Sequence, residues 1–276
     1  MDKQSFKNKP LKPQSVPESP IGVLDSGVGG ISVLRHIHAL LPHESLIYFA
    51  DSKYAPYGSK TAEEITVRCI ILANFLISQN VKALVVACNT ATAAAIDTLR
   101  ETFDIPIIGM EPAVKPAAEA SKNGVIGVLA TVGTLKSAQF AALLESYGRN
   151  VKVVTQACLG LVECIERGEL DTAETKALIC QYTAPLLAEG ADTIVLGCTH
   201  YPFVRPLIEE IVGRNVAIID TGAAVAKQLQ KKLAEQNLLE TANKAADISF
   251  WTNSTATNAA QVIEQLWGAK AEVKIL

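Results

Sequence analysis

The chain has no pair of cysteines at C-x-x-C spacing, no uninterrupted apolar run of the roughly 18 residues a membrane span needs, and no large charge excess of either sign. Its six cysteines, at 69, 88, 158, 164, 180 and 198, are scattered over 276 residues. A chain of that length buries enough apolar surface to do without disulfide staples. Aromatic residues make up only 5%, and 25 Lys+Arg against 28 Asp+Glu leave a net charge of −3. These values exclude the stacking surface and basic footprint of a nucleic-acid binder, and the polybasic attraction to an anionic membrane. The first twenty residues hold four prolines and four lysines and lack the apolar core of a signal peptide. Residues 1–20 therefore read as a flexible extension, and the thiols as reduced, in the cytoplasm. A reduced thiol is either core filling or chemistry.

What is present is a 49% hydrophobic composition arranged as short apolar runs between amphipathic segments. Strands are predicted at Ile21–Leu24, Leu46–Phe49, Ala83–Ala87, Ile105–Ile108, Val125–Leu129, Val151–Thr155, Thr193–Gly197 and Ala217–Ile219. Several are continuous apolar runs, as parallel strands buried on both faces require. Thr61-Ala62-Glu63-Glu64 reads as a capping box, followed by Ile65, Cys69, Leu72, Phe75 and Leu76 at helical spacing. Leu178–Leu187, where Pro185 bends or ends the run, and Val225–Leu233 read as helices too. Alternating strands and helices imply an α/β class with helices covering mostly parallel sheets.

An internal repeat carries more information. Ile21-Gly22-Val23-Leu24-Asp25 returns as Ile126-Gly127-Val128-Leu129-Ala130, and Ala83–Thr90 returns as Thr193–His200, with a cysteine and a threonine ending both copies. Two elements recurring in the same order predict two similar, pseudo-symmetric α/β domains, with the active site in the cleft between them. Ligands bind beyond the carboxyl ends of parallel strands. Cys88 and Cys198 sit at two such ends, so an approximate two-fold axis would face both thiols into one cleft.

Two thiols on opposite faces of one carbon suit inversion at an amino-acid Cα. One removes the weakly acidic proton as thiolate while the other returns a proton as thiol. A cysteine's reference pKa of about 8.5 is within reach of neutrality. Each cysteine precedes a predicted helix start, Asn89 to Leu99 and Thr199 to Val212, where free N–H groups favour a thiolate and a substrate carboxylate. A lone strand-end cysteine would read as structural; two at equivalent places in a repeat read as catalytic.

Four motifs in order, Asp25-Ser26-Gly27-Val28-Gly29-Gly30, Pro56-Tyr57-Gly58, Cys88-Asn89-Thr90-Ala91 and Gly197-Cys198-Thr199-His200-Tyr201-Pro202, resemble those of bacterial glutamate racemases. The resemblance runs from about Ile21 to Val225. It implies a cofactor-independent, metal-free isomerase that interconverts L- and D-glutamate and supplies D-glutamate for peptidoglycan, hence for cell-wall biogenesis and cell shape. It further implies that Cys88 takes the Cα proton of D-glutamate and Cys198 that of L-glutamate. Asp25 would support Cys88 and His200 would support Cys198, with Glu166 pairing with the histidine. Ser26, Tyr57, Gly58, Asn89, Thr90, Thr131 and Thr199, together with Asp25 and His200, would hold the substrate. The run Cys158–Glu166 lacks prolines common in the family, so Glu163 also stands as the partner carboxylate. By the same resemblance the last fifty residues fold back on the first domain, giving 21–114 plus 226–276 and 115–225. A homodimer is implied, and a cell-wall precursor as activator is an open possibility for a chain with an N-terminal extension.

Plainer readings compete. Asp25 could only brace a turn, and His200 could be a buried structural histidine. Ser26–Gly30 lacks both nucleotide-loop spacings. His36, His38 and His43 have no metal-ligand companions and read as surface residues, and Cys69, Cys158, Cys164 and Cys180 as core filling. The loop Asp51–Lys60 reads as a lid that excludes water from a carbanion-like intermediate. The nearest rival activity is an aspartate racemase, whose relatives resemble Gly-Cys-Thr-Glu where this chain has His200; a non-catalytic binding module and a metal or redox dithiol are more distant.

Overall fold

A computed structural model of the chain describes residues 16–243 and 245–276. Its elements run β1 Ile21–Asp25, α1 Ile31–Leu40, β2 Leu46–Ala50, α2 Ala62–Ser78, β3 Ala83–Val86, α3 Asn89–Thr102, β4 Ile107–Ile108, α4 Val114–Ala120, β5 Val125–Ala130, α5 Val132–Leu135 and α6 Ala138–Tyr147. They continue with β6 Lys152–Ala157, α7 Leu161–Glu166, α8 Ala173–Ala188, β7 Thr193–Gly197, α9 Arg205–Val212, β8 Ala217–Ile219, α10 Gly222–Glu235, β9 Ile248–Thr252, α11 Ala259–Trp267 and β10 Val273–Ile275. Short 3-10 turns cover Ser52–Tyr54, Tyr57–Ser59 and Tyr201–Val204.

Among the described residues all strand pairs are parallel and lie in two sheets, β10-β9-β2-β1-β3-β4 and β6-β5-β7-β8. The run β2-β1-β3-β4 has the same order as the whole second sheet. Register repeats as well: Ile21 faces Ala83 across β1 and β3, and Ile126 faces Thr193 across β5 and β7. The sequence repeat is thus a repeat of structure, and it puts Cys88 and Cys198 just past the carboxyl ends of corresponding strands. Strands β1, β3 and β7 are buried at every position, which is why they read as unbroken apolar runs.

The last fifty residues add β9 and β10 to the edge of the first sheet beside β2. One hydrophobic cluster runs through both halves, joining Ile21 and Val85 to Leu129 and Ile194 through helices α1 and α10. The division expected at 225/226 falls inside α10, where Val225 and Ala226 are both buried and the helix packs along α1. Thr61 caps α2 by the expected capping box, and Pro185 is accommodated inside α8 without ending it.

Of the expected flexible extension, residues 1–15 lie outside the described residues, whereas 16–20 are tied down. Ser19 is buried and the Pro20 carbonyl accepts the Lys82 N–H at 2.8 Å. The cause is a charge inside the fold: Lys82, fully buried, pairs with Glu44 at 2.5 Å and reaches the Pro17 carbonyl.

Candidate active site

Cys88 follows β3 and serves as N-cap of α3, with extended backbone and its sulfur accepting the Ala91 N–H at 3.4 Å. The Ser26 hydroxyl lies 3.7 Å from the same sulfur. Burial, and then the charge of Asp25, push the Cys88 thiol well above its ordinary pKa, against the pull of Ala91 and Ser26. Cys88 is therefore held as the neutral thiol at neutral pH in the resting site.

Cys198 follows β7 in a different setting. The expected single helix after it is broken into the 3-10 turn Tyr201–Val204 and the helix α9, with Pro202 and Pro206 in their first turns, where a missing N–H is harmless. In place of a helix amide, Cys198 has His200, whose Nδ1 lies 3.7 Å from the sulfur. The imidazole's Nε2 bonds Glu166 Oε1 at 2.6 Å. Burial opposes charge on His200, but hydrogen bonds to Cys198 and Glu166 outweigh it and hold the group well above the ordinary histidine range.

Glu166 ends α7 and faces His200; its Oε1 also accepts the Val28 N–H at 2.7 Å and its Oε2 the Ser52 hydroxyl at 3.0 Å. Both donors belong to the first domain, so the pair His200–Glu166 is completed across the cleft. The glycines of the β1–α1 turn make the approach feasible. A Cβ at Gly27 would stand 1.8 Å from Glu166 Oε1, and one at Gly29 would stand 2.2 Å from His200 Nδ1. Any side chain there has to push the pair aside.

Asp25 is fully buried, with Oδ1 accepting the Ser26 N–H at 2.7 Å and Oδ2 the Gly30 N–H at 2.6 Å. Thr199 from the second domain donates to Oδ2 at 3.4 Å. Burial raises its pKa beyond what the charge of His200 and the Gly30 N–H bring down. Asp25 both braces the turn and sets the charge behind Cys88.

A cavity with about 270 Å³ of empty space lies between the halves, lined by both cysteines together with Ser26, Gly58, Asn89, Thr90, Thr131, Thr199 and His200, and by Pro56 and Val162. Asn89 is buried and neither atom of its amide has a partner among the described residues, an arrangement that calls for a polar ligand. Thr90, Thr131 and Thr134 form a cluster of hydroxyls 2.8 to 3.1 Å apart that joins α3 to α5 across the mouth. Tyr57 lines the cavity, yet its hydroxyl donates to Asp51 at 2.5 Å and does not enter it.

Sequence reasoning missed Ser52, Val162, Thr134 and Tyr48. Tyr48 is buried beneath the turn and donates to the Gly27 carbonyl at 2.6 Å, a role no local pattern announces. Cys69 and Cys158 are buried, and burial raises each thiol to about 12, which suits filling. Cys164 is buried, but Cys180 is exposed on α8 and fills no core. Cys164, Glu169 and Glu174 lie close enough to share an ion, but Arg167 already occupies their midst, 2.6 Å from Glu169 and 3.4 Å from Glu174.

Residues 21–229 match the sequence pattern of the family described as Asp/Glu/Hydantoin racemase. The glutamate racemase of Ectopseudomonas mendocina is 54% identical over 259 residues, covering 94% of this chain and 98% of that one. A crystal structure of a glutamate racemase isoform from Bacillus anthracis superposes with a TM-score of 0.85 at 36% identity, over 94% of this chain and 98% of that chain. The Escherichia coli glutamate racemase, solved with L-glutamate and the activator UDP-MurNAc-Ala, superposes with a TM-score of 0.83 at 30% identity, over 93% of this chain and 98% of that chain.

Proposed function

The chain belongs to the Asp/Glu/Hydantoin racemase family, and from that premise we propose how its site works: a two-base, cofactor-independent proton transfer between Cys88 and Cys198. The activity is glutamate racemisation, which feeds D-glutamate to peptidoglycan synthesis. Relatives at over half identity are glutamate racemases, which decides against the aspartate alternative. One observation carries the mechanism: the two thiols line a single cavity from corresponding strand ends of two like halves.

In the L-to-D direction the Cys198 thiolate, beside the His200 imidazolium, takes the Cα proton. The electron pair left on carbon delocalises into the α-carboxylate, and the Cys88 thiol delivers its proton to the opposite face. The reverse direction exchanges the roles. Asn89 and the hydroxyls of Ser26, Thr90, Thr131 and Thr199 are the groups available to hold the two carboxylates and the ammonium. Their preorganisation favours the carboxylate as its charge grows in the transition state. The test is racemisation of protiated L-glutamate in deuterated water, stopped early. The expected product carries deuterium at Cα while the remaining substrate stays protiated, since each thiol exchanges with solvent between turnovers. Label entering substrate and product equally would point to a single base.

The reading extends to an activator. A wider cavity, with about 960 Å³ of empty space, lies where the β4–α4 link meets α6 and α10, and Arg100, Lys115 and Gln139 line it. Cations and an amide suit a nucleotide diphosphate sugar such as the one bound by the Escherichia coli enzyme. Stimulation of turnover by UDP-MurNAc-Ala, weakened in Lys115→Ala, is the expected result; no stimulation at saturating concentrations would remove the proposal. A homodimer working in the cytoplasm belongs to the same reading. No helix among the described residues is long and apolar enough to cross a membrane.

A further inference from the structure

The loop from Asp51 to Lys60 supplies Pro56, Tyr57 and Gly58 to the cavity and, through Ser52, a donor to Glu166. Its shape rests on one carboxylate. Asp51 follows β2, its N–H bonds the carbonyl of Asp25 at 3.0 Å, and its side chain is wholly inside the fold. Oδ1 accepts Arg68 Nη2 at 2.7 Å and Asn253 Nδ2 at 2.5 Å; Oδ2 accepts Arg68 Nε at 3.0 Å and Tyr57 Oη at 2.5 Å. Arg68, on α2, is the bidentate partner, and its guanidinium lies 3.8 Å over the Tyr54 ring. Asn253, just beyond β9, closes the set by accepting the Lys53 N–H at 3.0 Å. The carboxylate thus gathers donors from α2, from the loop itself and from the segment after β9, and the loop is fixed at Lys53, Tyr54 and Tyr57.

We propose that Asp51 and Arg68 are positioning residues, a clamp that holds the substrate-binding loop in shape through Tyr57, and that the Tyr57 hydroxyl serves this clamp and not the substrate. A buried carboxylate keeps its charge at acceptable cost only when its oxygens are fully donated to. A planar, two-pronged donor fixes direction as well as distance. The sulfurs, His200 and Glu166 lie outside the clamp, so it governs how well the loop closes on glutamate and leaves the proton transfers to other groups. The proposal rests on the racemase reading given above.

Steady-state kinetics with both enantiomers test it, using Asp51→Asn, Arg68→Met, Arg68→Lys, Tyr57→Phe and the double variant Asp51→Asn/Tyr57→Phe. Asp51→Asn and Arg68→Met are expected to raise KM on the order of ten-fold while kcat stays within about three-fold, the signature of lost binding order with chemistry intact. Arg68→Lys, which returns the charge without the fork, should fall between. The double variant should be no worse than Asp51→Asn alone, because both changes sever one connection. KM within about two-fold of wild type in soluble, folded Arg68→Met and Arg68→Lys would overturn the clamp; so would a fall in kcat at constant KM, or strict additivity in the double variant. If Asp51→Asn or Arg68→Met does not fold, Arg68→Lys decides, since it keeps a cation beside the wholly buried Asp51 carboxylate and the side chain it replaces is 18% exposed. An inactive wild type would refute the racemase reading instead, so the two failures are distinct.

Discussion

Cys88→Ser is expected to lower racemisation from either enantiomer by at least about a thousand-fold, within the span that positioned acid–base groups contribute. The serine hydroxyl can still meet the Ala91 N–H and Ser26, so the fold around α3 should persist. It ionises far above the reference thiol at about 8.5, and so it neither accepts nor returns a proton at a useful rate. The variant keeps Cys198 with its His200–Glu166 support. It should therefore exchange the Cα hydrogen of L-glutamate with deuterated water without inverting it, and leave D-glutamate unlabelled. Cys198→Ser should show the opposite preference. A loss of only a few-fold in both variants would place the bases elsewhere, and exchange of the wrong enantiomer would reverse the assignment of faces.

The second large effect concerns stability. Glu44→Ala is expected to destabilise the protein by about 3–5 kcal/mol, because it leaves the Lys82 ammonium uncompensated in the interior. Both side chains are almost wholly inaccessible, at 0% and 3% exposure. Lys82→Met should cost less than a lone charge on Lys82 would suggest, since Glu44 keeps the Glu240 N–H at 2.9 Å. The apolar double replacement Lys82→Met/Glu44→Leu should come close to wild type, since an ion pair exchanged for packed hydrocarbon is often neutral. Urea midpoints at constant slope measure all three. A Glu44→Ala midpoint indistinguishable from wild type would show that water or a moved anion satisfies Lys82.

Much of the fold was legible because its central strands are buried at every position and therefore largely apolar. Ile21–Asp25, Ala83–Val86 and Thr193–Gly197 announce buried parallel strands, and their repetition conveys strand order and register. The edge strands were silent for the opposite reason. Ile248–Thr252 is only partly buried and Val273–Ile275 has three residues, one of them exposed, so neither carries an unbroken apolar signal. At the site, the cysteines, Asp25 and His200 could be found because they sit beside strand ends in the sequence. Glu166 and Glu163 could not be separated by spacing alone, since which carboxylate reaches His200 depends on how α7 packs across the cleft. Asp51 and Tyr48 were beyond reach: Asp51 meets Asn253 across 202 residues and Tyr48 meets Gly27 across 21, and no local pattern encodes such meetings. Lys82 was beyond reach in the same way, a charge beside a strand that nothing local marks as held inside.

The two sulfurs keep different company, an amide and a carboxylate behind one, an imidazole behind the other. Mirror-image amino acids nevertheless have the same free energy in water, so no arrangement of side chains can make one hand the preferred end point. The quotient kcat/KM must match from both starting hands at every pH. Lopsided support can alter only how that common quotient is divided. If the site grips one hand more tightly, turnover from that hand slows in proportion, and a cell that wants faster supply of the D form must draw it off downstream.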